Sequence, residues 1–168
     1  MILVGTTSYR PVPGVNVQTY RSESDATLDA DRPVIHEWAM DYTMVDRSVR
    51  LTRIQTRGVL TVWTWPGDVD DAVLIVSELV TNAIRHAHVA GEFLRLRLAV
   101  LEDAALLIDV SDPLPVFGAA AGPVSPPPPA AEAEGKRGLR LVRCLGAKLS
   151  YFLRAEDGGK TVRARLEK

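Results

Sequence analysis

Between residues 70 and 100 the hydrophobic repeat changes once, at Gly91, and that change restricts the fold more than any other feature. Before it, Val73, Val76, Leu79, Val80, Ala83, Ile84 and Ala87 fall on one broad face at about 100° per residue, so the spacing predicts a helix over about 70–88. After it, Leu94, Leu96, Leu98 and Val100 alternate with Arg95, Arg97 and Ala99, the pattern of a half-buried antiparallel strand. A helix with one apolar face, followed at once by a strand with one apolar face, buries both by laying helix on sheet.

The flanking segments extend this plan. A short turn at Glu102-Asp103 leads to a second strand in which Leu106, Ile108 and Val110 share a face. Asp112 has the same parity, so a strand reaching it turns a carboxylate toward the covered side, where it needs a partner. Upstream, residues 36–43 read as a strand. Asp46 or Ser48 can cap a helix running to about Trp63, with Val49, Ile54, Val59, Leu60 and Trp63 as its buried side. In TWPGDVDD the chain turns at Pro66-Gly67, and Asp68 or Asp70 can accept from free amides at the next helix start. Downstream, VFGAAAGPVSPPPPAAEAE, residues 116–134, cannot form a regular core element, because consecutive prolines remove donors and favour polyproline II. GKRGL then opens an apolar helix over 139–145 that ends at Gly146. A hairpin pattern over 149–153 and 161–166, with a turn through Glu156-Asp157-Gly158-Gly159, closes the chain. The fold class is therefore α+β: a two-layer α/β sandwich with helices on one face of a mixed, mostly antiparallel sheet. Residues 1–33, rich in proline and polar side chains without a sustained period, read as an extended or poorly ordered arm, leaving 34–168 as one domain.

Composition narrows the function classes. A formal net charge of −1 supplies no bulk field for nucleic acid or an anionic membrane. The longest apolar runs are too short to span a bilayer, and the first residues lack the basic start of a secretory signal. A single cysteine, Cys144, rules out an internal disulfide and suits a cytoplasmic setting; within an apolar helix it reads as a buried small hydrophobe.

Several residues are candidates for chemistry. Glu78 and Asn82 lie one turn apart, with Arg85 next in the row, on the polar side of the 70–88 helix. Asn is a poor helix former, but its amide oxygen suits Mg²⁺, which takes few protein ligands and completes its shell with phosphates and water. A carboxylate one turn earlier can deprotonate a hydroxyl aimed at a terminal phosphate. A polar helix face with incidental spacing explains the same pair. Asp112 can accept from the exocyclic amine of a purine, or simply open the turn before Pro113. The free amides of GKRGL, Gly135 to Leu139, can cradle phosphate, with Lys136 and Arg137 adding positive charge, or the glycines can serve only the turn. GGKT, residues 158–161, imitates a P-loop ending but opens a period-two segment, so it reads as a hairpin turn. His86 and His88 diverge by about 200° on a helix and make no zinc pair. Arg95, Arg97, Arg163 and Arg165 form either a basic sheet patch or an ordinary solvated face.

The order SELVTNAIRHA, DVSDPLP, a Pro/Gly-rich stretch with GKRGLRLV, then GGKTVRARL resembles the GHKL superfamily of ATP-binding domains (the Bergerat fold) over about residues 36–168. The likeness is strongest to stand-alone anti-sigma-factor serine/threonine kinases and related actinobacterial regulators. The resemblance implies ATP and Mg²⁺ as ligands, with Glu78 as general base and Asn82 on the metal. It further implies His86 near the phosphates, Asp112 on the adenine amine, and Gly135, Arg137, Gly138 and the Leu139 amide around the phosphates. Thr161 would support Asp112 through water, and residues 116–134 would form the ATP lid. The adenine box departs from the family's D-x-G-x-G at Leu114, and Lys136 stands where a glycine is common. Strict alternation groups Thr161 with Arg163 and Arg165, away from the apolar face.

By resemblance, the chain would phosphorylate an anti-anti-sigma (STAS-type) partner and sequester a sigma factor, without touching nucleic acid or membrane, and with homodimerisation left open. The alternative is a catalytically degenerate GHKL module that acts by partner sequestration only.

Overall fold

The computed structural model describes residues 32–87, 91–114, 138, 140–154 and 157–168. In chain order its elements are β1 (Val34–Thr43), α1 (Asp46–Val62), α2 (Val69–Ala87), β2 (Phe93–Leu101), β3 (Leu106–Asp112), a short helical segment over 140–144, β4 (Lys148–Leu153) and β5 (Lys160–Leu166). The strands form one sheet in the order β1-β2-β3-β5-β4. Each neighbouring pair is antiparallel, so the parallel component expected of a mixed sheet is absent among the described strands. The arm over 1–31 and the proposed lid over 116–134 lie outside the described residues. Arg32 and Pro33 are tied to the β2–β3 turn: Arg32 pairs with Asp103, and the Glu102 amide donates to the Pro33 carbonyl at 3.0 Å.

The helix α2 lies across β2, β3 and β5. Its residues Val76, Leu79, Val80, Ala83, Ile84 and Ala87 share one core cluster with Leu94, Leu96 and Leu98 of β2, Ile108 and Val110 of β3, and Val162 and Ala164 of β5, and Val73 is buried as well. The start of α2 is fixed by Asp68, whose carboxylate accepts from the Asp71 amide at 3.0 Å. Of the two capping candidates, Asp70 instead pairs with Arg57. A smaller apolar cluster, Ala99, Leu101, Ala105 and Leu107, occupies the opposite face of the sheet.

Of the residues expected on the buried side of α1, Leu60 is in the core and Val49, Val59 and Trp63 pack against it, but Ile54 does not, and the centre of the inward face is polar. Its buried residues are Ser48, Thr52, Thr56 and Leu60, whereas Ile54 is 57% exposed. The helix packs chiefly on α2, and small hydroxyl side chains admit a close approach there. Two of the hydroxyls are satisfied on nearby carbonyls: Ser48 Oγ donates to Thr43 O at 2.7 Å and Thr52 Oγ1 to Val49 O at 2.9 Å. Ser48 therefore ties the helix back to β1 rather than capping it, and no side chain caps the α1 N-terminus.

The 140–144 segment closes at Gly146, whose φ of +81° lets Ala147 donate to the Val142 carbonyl. Val142 is fully buried and Cys144 is exposed, which corrects the expectation of a buried cysteine. Residues two apart on a helix point to opposite sides, and Val142 holds the inward one. No helix among the described residues is long and apolar enough to cross a membrane.

Candidate functional site

One face of α2 and the adjoining ends of β3 and β5 line a cleft that is open to solvent on one side. Leu79, Ala83 and Val162 form its apolar walls; Asn82, His86, Asp112 and Lys160 supply its polar groups. The helix residues 79, 82, 83 and 86 recur at i, i+3, i+4 and i+7 and so share one face. Arg85 is exposed and does not line the cleft. Glu78 stands one turn before Asn82 and is half-buried.

Gly138 comes down directly on this pair. A Cβ on it would collide with Glu78 Oε2 and lie 3.8 Å from Asn82 Nδ2, so only glycine fits without displacing the carboxylate. Of the predicted phosphate box, Gly135, Arg137 and Leu139 lie outside the described residues.

Two buried polar atoms facing this region lack a hydrogen-bond partner among the described residues: Asn82 Nδ2 and Asp112 Oδ2. Such orphans carry a desolvation cost that a polar ligand relieves. The Asn82 amide can exchange its oxygen and nitrogen by a half-turn without changing shape, so it presents either a donor or a hard oxygen ligand. No group of three His, Cys, Asp or Glu side chains among the described residues is arranged to hold a metal. A Mg²⁺ carried in on phosphates needs only one or two protein ligands, and Asn82 fits that requirement.

Asp112 is fixed from several sides. Its Oδ1 accepts from Lys160 Nζ at 2.9 Å and from the Leu114 amide at 3.0 Å, in an ion pair whose side chains are 4% and 1% exposed for lysine and aspartate. Lys160 also donates to the Leu114 carbonyl at 3.2 Å. The Asp112 carbonyl accepts from Arg154 Nη2 at 3.2 Å, and a side chain at Gly159 would run into both partners.

Lys160 was not among the sequence candidates, although its parity with the buried Val162, Ala164 and Leu166 marked it as an inward-facing charge. It is the cross-strand neighbour of Asp112, the carboxylate that needed a partner. The GGKT stretch is a hairpin turn, as expected, with Gly158 at φ +71°. It also supplies the residue that holds Asp112. Thr161, by contrast, does not support Asp112: it pairs across strands with Ser111 on the other sheet face, their hydroxyls 2.7 Å apart. The period of two is unbroken between β3 and β5, so Thr161 cannot share the face of Asp112.

Asp157 steadies the β4–β5 turn by accepting from Arg154 Nε at 2.9 Å and Nη2 at 2.6 Å. The hydrogen bond from Arg154, outweighing a smaller desolvation effect, holds the Asp157 carboxyl below its ordinary value. A lowered carboxyl contributes stability above its unfolded value and loses it as pH falls through the folded one. Acidification from pH 5 toward pH 3, across the ordinary value of 3.8, is therefore expected to cost the native chain slightly more stability than Asp157→Asn, measured by urea unfolding at each pH. The difference is small because the Asp157 side chain is 57% exposed.

The four strand arginines do not form a basic patch. Arg95 pairs with Asp41, Arg97 with Glu37 and Asp109, Arg163 with Asp109, and Arg165 with Asp103 and Glu167. Asp109 is buried beneath two of them, so this face is a ladder of alternating charge.

A helix bearing a carboxylate and an amide one turn apart, laid on an antiparallel sheet whose inner strand ends in a buried carboxylate, defines a two-layer sandwich with a small-ligand cleft between its layers. Residues 45–166 match the model of the histidine kinase-like ATPase domain, and the chain belongs to that family of ATP-binding domains. Among solved structures, the crystal structure of the RsbU and RsbW domains of Rv1364c from Mycobacterium tuberculosis is similar, with a TM-score of 0.54 and 18% identity. The match covers 79% of this chain and 32% of that one, and at such identity it is a likeness of fold. The comparison with curated proteins found no match.

Proposed function

We propose that this chain is an ATP-binding regulatory protein that transfers the γ-phosphoryl group to a serine or threonine of an anti-anti-sigma (STAS-type) partner, and that it sequesters a sigma factor in another nucleotide state. The observation that carries the proposal is the meeting of Glu78, Asn82 and Gly138 beside a cleft whose far wall holds the unsatisfied Asp112 Oδ2. The resemblance to anti-sigma-factor kinases and the fold shared with a structure that contains an RsbW domain support the same reading.

In this reading the adenine amine donates to Asp112 Oδ2 and the base lies against Leu79, Ala83 and Val162. The phosphates extend along α2 toward Asn82 and Gly138, with His86 facing the same space. Asn82 would hold Mg²⁺, which neutralises phosphate charge when bound. Glu78 accepts the proton of the partner's hydroxyl as its oxygen forms the new bond to the γ-phosphorus. The bond from phosphorus to the β–γ bridging oxygen breaks, and ADP leaves with that electron pair. The added phosphate changes the partner's charge and with it the partner's affinity.

Incubation with γ-labelled ATP, Mg²⁺ and an anti-anti-sigma protein tests this directly. Label is expected on a serine or threonine of that protein. ATP binding without any transfer would instead favour the module that acts by sequestration alone.

A further inference from the structure

The β5 residue Lys160 has no role in the scheme above, yet it is among the most buried charges in the molecule. We infer that Lys160 is a positioning residue for base selection: by occupying one oxygen of Asp112 it leaves the other as the carboxylate acceptor open to a base, and so selects a purine with a 6-amino group over a 6-oxo purine. The inference rests on the cleft being an ATP site.

A carboxylate offers roughly four lone-pair positions on two oxygens and, left free to rotate, presents either oxygen to a ligand. Here that freedom is removed. Oδ1 carries two donors, Lys160 Nζ and the Leu114 amide. Oδ2 is buried with none among the described residues. The backbone of Asp112 is held as well, by Arg154 through the space that Gly159 leaves. Exchanging the oxygens would take the buried ammonium away from its partner or drag it along, and its contact with the Leu114 carbonyl opposes such movement. The acceptor that remains is therefore fixed in place, as a specificity contact requires.

An exocyclic amine satisfies Oδ2. A 6-oxo group in the same place sets an oxygen against a carboxylate oxygen and leaves both without a hydrogen. Sites built around one buried polar contact reject ligands that cannot complete it far more strongly than apolar pockets reject a change of shape. Lys160 also stands where the resemblance assigns a supporting role to Thr161; in this chain the contact to Asp112 from β5 comes one residue earlier, from the inward-facing position.

The test compares ATP with inosine triphosphate, which differs at the 6-position and shares the triphosphate, by calorimetric titration of the full chain and of Lys160→Met in the presence of Mg²⁺. The native chain is expected to favour ATP by more than about tenfold, and Lys160→Met to bring the ratio close to one by weakening ATP. A general loss of stability would weaken both nucleotides alike and leave the ratio unchanged. If Lys160→Met does not fold, ¹⁵N spectroscopy of the native lysine ammonium groups reads the same contact. The Lys160 signal should move on saturation with ATP and stay in place with inorganic tripolyphosphate. An unchanged ratio in a folded Lys160→Met, or an unmoved Lys160 signal under saturating ATP, overturns the inference and leaves the ATP site standing. Failure of the native chain to bind either nucleotide overturns both.

Discussion

Replacing Glu78 with glutamine is expected to slow γ-phosphoryl transfer by about 100- to 10,000-fold, with ATP binding retained. The substitution preserves size and hydrogen-bonding reach but cannot accept the proton of the attacking hydroxyl. Glu78 is half-buried on α2, one turn before Asn82, and its Oε2 lies against Gly138, where the phosphates are proposed to rest. A base has to be within hydrogen-bond reach of the proton it takes; Glu78 stands beside the cleft rather than in its lining, and the other carboxylates of α2, Asp70 and Asp71, are in its first turn, two turns away. Label transfer to the partner measures the chemical step, and calorimetry with ATP measures binding. Transfer at the native rate by Glu78→Gln would place the base elsewhere.

Lys160→Met is expected to destabilise the fold by about 3–5 kcal/mol. The pair it breaks is almost wholly removed from water, with side-chain exposures of 4% and 1%. Deleting the ammonium leaves the Asp112 carboxylate buried without its counter-charge, and that penalty exceeds the attraction the pair contributes. Replacing both charges, as in Lys160→Met with Asp112→Asn, is expected to restore most of the loss. Urea unfolding gives both values. A cost below about 1 kcal/mol for Lys160→Met, the range of exposed pairs, would mean that water reaches Asp112 in the folded chain. By contrast, Arg95 and Asp41 are each more than half exposed, and breaking that pair should be nearly silent.

The parts of the fold legible in the sequence are those where one strong period had one partner. The stripe from Val73 to Ala87 could only be a helix face, and the alternation from Leu94 to Val100 only a strand; both were placed within a residue or two of their ends. The inward parity of Asp112 followed from Leu106, Ile108 and Val110 in the same way. The α1 face was legible only at its flanks, Val49, Val59, Leu60 and Trp63, because its centre is set by how closely α2 approaches. Small hydroxyls at Ser48, Thr52 and Thr56 suit that contact better than Ile54 does, and hydropathy counts them as polar. Cys144 failed for a related reason: seven residues of apolar helix hold too little pattern to show which side faces the core.

In the candidate site, Asn82, His86 and Asp112 line one cleft, and Gly138 meets Glu78 and Asn82 although it lies some 50 residues further along the chain than α2. The periods put Asn82 on the polar side of the helix and Asp112 on the covered side of the sheet; that these and His86 meet at one site was an implication of the resemblance alone. Lys160 was missed because a lysine beside two glycines reads as a solvated turn. The signal that could have found it was arithmetic: two charges of opposite sign, each assigned by parity to a buried face, on strands that pair. The same arithmetic placed Thr161 with Arg163 and Arg165, and the structure keeps it there.

The central claim is that the cleft between α2 and the β3–β5 ends takes ATP with Mg²⁺ on Asn82. Calorimetric titration of the full chain with ATP, with and without Mg²⁺ and alongside Asn82→Ala, tests it most directly. Saturable one-site binding that strengthens with Mg²⁺ and loses that dependence in Asn82→Ala is the expected result. Absence of heat and of thermal stabilisation up to millimolar ATP, or binding indifferent to both Mg²⁺ and Asn82, would contradict it.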